Sequence, residues 1–124
     1  MNIYHIKELL IRHQGKNSMN ISDRYRELVK DARFLMQDWA PEAADMEAKG
    51  QSLILQAARE LGELEELVGD IPRIKLESKL TPVLLKAHSQ LDRSRLLLEE
   101  EGAEDKAAQV WELEQKIYRL LNAM

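Results

Sequence analysis

Apolar residues recur along this chain at steps of three and four, the spacing that lays them along one side of an α-helix, and they do so in several successive segments. The first, Ile3 to His13, offers Ile3, Ile6 and Leu10 and stops near Gly15. A second helix is expected to start at Ser22, a good N-cap, with Asp23 suited to the positive end of the helix. Its seam is Tyr25, Leu28, Ala32, Leu35 and Trp39, ending at Ala40-Pro41. Proline is tolerated at a first helical position, so a third helix is expected from Pro41 to Gly69, with Ile54, Ala57, Leu61, Leu64 and Val68 as its seam. Gly50 inside it costs about 1 kcal/mol relative to Ala and predicts either a kink or a close helix crossing.

Asp70-Ile71-Pro72 reads as a connector, and Thr81-Pro82 as a second cap followed by proline. That pair predicts one or two separate turns over 73–80 before a main fourth helix whose seam is Leu84, Ala87, Leu91, Ser94 and Leu98. Gly102 closes it, and Ala103 to Met124 forms the last helix, with Ala107, Val110, Leu113, Ile117, Leu120 and Met124 along one side. Sustained three-four alternation favours near-parallel packing of long helices over steep crossings. The expected fold is therefore all-α, a single domain over 1–124, built as a bundle of four to five mostly antiparallel helices with coiled-coil-like seams. No stretch has the period-two pattern of a strand.

Three triplets exceed what one seam can bury. Leu53-Ile54-Leu55, Val83-Leu84-Leu85 and Leu96-Leu97-Leu98 each fan over about 200° of helix surface. Either the third and fourth helices are covered from two sides, or a second apolar face serves self-association or docking. Leu55, Leu85 and Leu97 are the candidate interaction residues.

Composition narrows the chemistry. The chain has no cysteine, which removes disulfides, thiolate metal sites and cysteine nucleophiles together. Charge arrives by Lys7, and no later apolar run approaches the roughly 20 residues of a membrane span, so a cytoplasmic protein without membrane contact is expected. The net charge of −4 is sorted along the chain: +3 over residues 1–36, −7 over 37–70, +4 over 71–95 and −4 over 96–124. Such alternation suits basic helices lying beside acidic ones, or a basic face for an anionic partner. The most coherent basic stripe is Lys79, Lys86 and Arg93, spaced by seven, with Lys75 ahead and Arg95 beside its end. Arg24, Arg26, Lys30 and Arg33 form a second set.

Carboxylates one helical turn apart can converge on an ion, which makes Glu60, Glu63 and Asp92 the candidate metal ligands. The stretch Leu55 to Leu64 resembles the first motif of the all-α nucleoside triphosphate pyrophosphohydrolases, in which a Glu-Glu-x-x-Glu helix and a later Glu-x-x-Asp helix bind magnesium. Arg59 stands where the first Glu of that motif belongs, and Asp92 has Ser89 in place of Glu three residues earlier. The rhythm of residues 45–105 is also similar to that of the helical small subunits of phage terminases, a rhythm common to many bundles. From the residues themselves the leading expectation is a non-enzymatic helical interaction module without a cofactor. Such a module self-associates or serves as a small subunit of a larger complex. A nucleic-acid-contacting subunit and a magnesium-dependent hydrolase are the alternatives.

Overall fold

The computed structural model describes residues 20–37 and 45–124. The expected segment Ile3–His13, the residues Trp39 to Pro41 and the histidines His5 and His13 lie outside the described residues. Within them the chain forms α1 (Ile21–Gln37), α2 (Asp45–Gly62), a 3-10 turn (Val68–Asp70), α3 (Arg73–Glu100) and α4 (Glu104–Ala123). There is no strand among the described residues. The helices pack as a bundle in which α3 shares its largest interfaces with α2 and α4, while α1 touches both α2 and α4. None of these helices is long and apolar enough to cross a membrane.

Most of the seam residues read from the sequence are buried in the core, with Leu35, Leu64 and Met124 half-buried against it. Tyr25, Leu28 and Ala32 of α1, Ile54, Ala57 and Leu61 of α2, Leu84, Ala87, Leu91, Ser94 and Leu98 of α3, and Ala107, Val110, Leu113, Ile117 and Leu120 of α4 are all buried. Val29, Ala58, Leu76 and Leu80 join them. Tyr25 carries its hydroxyl into this core and donates to the Leu61 carbonyl at 2.6 Å. Burial, with Glu63 and Glu65 nearby, pushes that hydroxyl well above its usual range, so it stays a neutral donor.

Local signals fail in three places, each for a reason supplied by a neighbour. Asn20, not Ser22, caps α1: its Oδ1 accepts from the Asp23 N–H at 2.8 Å. Ser22 is instead one residue inside the helix and donates to the Val68 carbonyl at 3.1 Å. The third expected helix stops at Gly62 rather than Gly69. Residues past Gly62 are held by α1, since Ser22 takes the Val68 carbonyl and Arg26 Nε donates to the Glu65 carbonyl at 3.3 Å. A glycine contributes little helix propensity to resist this, and Leu64 and Val68 still pack into the core from the turn.

The third difference is Pro82, which lies inside one continuous α3 instead of starting it. An interior proline loses a hydrogen bond and costs about 3 kcal/mol. Leu76 and Leu80, two turns and one turn before Leu84, are buried on the same side of α3. Burying a leucine is worth about 1.5–3 kcal/mol, so the pair offsets the proline and keeps the first two turns helical. At the other end the helix finishes in a Schellman motif: Ala103 N–H bonds the Leu98 carbonyl, Gly102 N–H bonds that of Glu99, and Gly102 takes φ +78°.

Gly50 is a close crossing, not a kink. A Cβ there would meet Ser94 Oγ at 3.2 Å and Leu98 Cγ at 3.3 Å, and Ser94 Oγ donates to the Gly50 carbonyl at 2.8 Å. α2 runs through the position unbroken.

Candidate interaction surface

Each leucine-rich triplet divides its members three ways. Ile54, Leu84 and Leu98 are buried, Leu53, Val83 and Leu97 are half-buried, and Leu55, Leu85 and Leu96 face outward. Thus Leu97 is not an exposed residue; its neighbour Leu96 is. Nor do the three candidates share a surface. Leu55 lies with Arg33, Ala58 and Gly62 beside the junction of α1 and α2, whereas Leu85 lies on α3.

A different apolar set does come together. Ile74, Leu85 and Leu96 are 90%, 54% and 47% exposed, and they stand eleven residues apart along α3. Eleven residues are three turns with a drift of about 20°, so the three side chains form one nearly straight outer row. On α4, Trp111 and Tyr118 are 50% and 55% exposed and two turns apart. Trp111 flanks a groove with Arg95 and Glu99 of α3 and Glu104, Ala107 and Ala108 of α4. The helical step puts Tyr118 on the same edge of α4 as Trp111. Phe34 and Leu67 are also exposed, on α1 and in the turn after α2. The signal for the outer row was present in the sequence as apolar residues at an eleven-residue step off the main seam.

A buried charged network lies in the α3–α4 junction behind this row. Glu114 is only 2% exposed although it is a carboxylate. His88 Nε2 stands 3.6 Å from its Oε1, and Arg95 Nε stands 3.5 Å from its Oε2, which has no hydrogen-bond partner. Arg95 is more firmly engaged elsewhere, at 2.8 Å from Asp92 and 2.6 Å from Glu99. Burial, then the neighbouring Asp92 carboxylate, pushes Glu114 up to about 7. The Arg95 guanidinium holds Asp92 below its ordinary value, so a proton on the pair resides on Glu114. Glu114 was legible too: with Ala107, Val110, Ile117 and Leu121 it keeps a three-four step, so a carboxylate occupies a core position.

The basic candidates separate. Lys75, Lys79, Lys86 and Arg93 project from one side of α3, but Arg95 lies on the α4 side within the network just described. Lys86 Nζ pairs with Glu60 Oε1 of α2 at 2.6 Å, and Gln90 Nε2 donates to Glu60 Oε2 at 2.9 Å. Those contacts hold Glu60 below its ordinary value, Lys86 contributing most. Lys75, Lys79 and Arg93 are exposed, and among the described residues no carboxylate pairs with them. In the second basic set, Arg26, Lys30 and Arg33 pair with Asp23, Glu27 and Glu65.

The three candidate metal ligands are not brought together. Glu60 points at α3 toward Lys86, Asp92 points at the α4 side toward Arg95, and Glu63 is exposed in the turn after α2. Among the described residues no group of three or more His, Asp or Glu is arranged to hold a metal ion. No protein-family model, curated protein or solved structure matches this chain.

Proposed function

We propose that this chain is a non-enzymatic helical interaction module that self-associates through the outer face of α3 and α4. The observation that carries the reading is the row Ile74, Leu85 and Leu96 together with Trp111 and Tyr118, all about half exposed or more. Each large apolar side chain left in water forgoes roughly 1.5–3 kcal/mol, and large apolar side chains exposed together along one face mark interaction sites. The helices of the module run mostly antiparallel along coiled-coil-like seams. The order of cross-helix contacts supports this: Gly50 meets Ser94, while Glu60, further along α2, meets Lys86, earlier on α3.

Light scattering tests the reading. The purified protein is expected at a mass well above the 14.4 kDa of one chain. Leu85→Glu and Trp111→Glu should each return it to a monomer without loss of helical circular dichroism. A monomer at every concentration would overturn the reading.

A second reading, contact with nucleic acid, is favoured by the exposed Lys75, Lys79 and Arg93, which pair with no carboxylate among the described residues. It predicts binding to a single- or double-stranded oligonucleotide that falls steeply with salt. Charge reversal at all three should abolish it, and unchanged affinity would end this reading.

A further inference from the structure

The row on α3 has an internal symmetry that lets it pair with a second copy of itself. Ile74 and Leu96 each lie eleven residues from Leu85, on opposite sides of it. A second α3 laid antiparallel across the first, with a two-fold axis at Leu85, sets Leu85 against itself and each Ile74 against the other copy's Leu96. The positions between the anchors follow the same rule. Thr81 comes opposite Ser89 of the second copy, and Ser78 opposite its Asp92, a carboxylate already paired with Arg95, so the gaps between the apolar anchors are polar. A parallel alignment in register also sets each anchor against its own copy, so the spacing of the row alone admits both orientations.

Charge selects the antiparallel orientation. The start of α3 carries Arg73, Lys75 and Lys79 against Glu77 alone, whereas its end, the turn beyond and the first turn of α4 carry Glu99, Glu100, Glu101, Glu104 and Asp105 against Arg95 and Lys106. Antiparallel pairing brings the basic start of one helix to the acidic end of the other, and opposes the helix dipoles favourably. Parallel pairing would place like charges together at both ends. From Ile74 to Leu96 the row is about 33 Å long at 1.5 Å per residue. With the flanking edge of α4 included, the face is two helices wide, on the order of 600 Å². This approaches the ~800 Å² per partner of a standard stable interface.

From these observations we infer that the chain forms a two-fold homodimer in which α3 packs antiparallel on α3, Leu85 on Leu85 and Ile74 on Leu96, with Trp111 and Tyr118 along one flank. The inference rests on the self-association proposed above and adds its register. Because the natural chain has no cysteine, single-cysteine variants report that register without background. The full-length variants Ile74→Cys, Leu85→Cys and Leu96→Cys would be equilibrated in a glutathione redox buffer, with Ser52→Cys on the exposed side of α2 as the collision control. Circular dichroism would establish that each is folded.

The expected pattern is specific. Leu85→Cys alone forms a disulfide-linked dimer, several-fold more than Ser52→Cys. Ile74→Cys and Leu96→Cys alone stay at the control level, and their mixture forms a linked dimer. If light scattering shows an oligomer but Ile74→Cys and Leu96→Cys each link to themselves, or none of the three exceeds the control, the antiparallel register is wrong while self-association stands. A protein that scatters as a monomer throughout overturns both.

Discussion

The two flanks of α3 solve the problem of helix packing in opposite ways. Toward α2 the contact is close and apolar: Gly50 has no side chain, Ser94 donates into its carbonyl at 2.8 Å, and Leu98 fills the space beside them. Charge on that flank, the Lys86–Glu60 pair, stays at the partly exposed rim. Toward α4 a carboxylate, Glu114, is sealed inside the junction, with His88, Asp92, Arg95 and Glu99 around it. One flank gains stability from closeness. The other accepts a buried group whose charged form is disfavoured, so its stability changes between about pH 4.5 and 7, whereas that of the first, through Glu60, changes only at more acid pH.

The largest expected effect breaks this contrast at Glu114. Near 4.5, its ordinary value, the unfolded chain releases the proton, whereas the folded chain keeps it until about pH 7. Between those limits the folded state binds more protons, so stability falls as pH rises and levels off above about 7. At 1.36 kcal/mol per unit the loss is on the order of 3 kcal/mol. Asp92 and Glu60, both held below their ordinary values, act in the other direction. Their contribution is present above those values and lost as the solution becomes more acid. Denaturant unfolding from pH 4.5 to 8 should show the decline in the natural protein and lose most of it in Glu114→Gln. An unchanged profile in the variant would remove Glu114 as the cause.

On the α2 flank, Gly50→Leu should cost about 2 kcal/mol, because its Cβ alone already crowds Ser94 Oγ and Leu98 and the rest has no space. The cost should be the same at pH 5 and pH 8. A pH-dependent cost would mean that the two flanks are coupled through α3. Ser94→Ala should cost less, about 1 kcal/mol. It removes one buried hydrogen bond, yet the Gly50 carbonyl sits within a continuous helix. Thermal or denaturant melts would read both. Smallest is Lys86→Ala: its ion pair with Glu60 lies where the lysine is mostly exposed, so the change should be under about 0.5 kcal/mol and vanish at high salt. A loss several times larger would show that charge at this rim is as consequential as charge in the α4 junction.

By itself the sequence determined the helical class and most of the residues that form the core, because burial on a helix follows from a local period that successive residues carry with them. The seams of α3 and α4 could be read position by position, Ser94 included, and Gly102 as the end of α3 followed from its freedom to take a positive φ. What only the tertiary structure decided was set by neighbours distant in sequence. Ser22 is drawn from a cap to the Val68 carbonyl, α2 ends at Gly62 where α1 side chains hold the Glu65 and Val68 carbonyls of the chain beyond, and Pro82 stays within α3 because Leu76 and Leu80 are buried. The same holds for the surface. Periodicity shows that a triplet has more apolar area than one seam covers, but not which member faces outward, since that depends on the side from which the next helix approaches. For this reason Leu96 and not Leu97 is exposed, Arg95 leaves the basic stripe for the α4 junction, and Glu60 and Asp92 end on opposite flanks of α3.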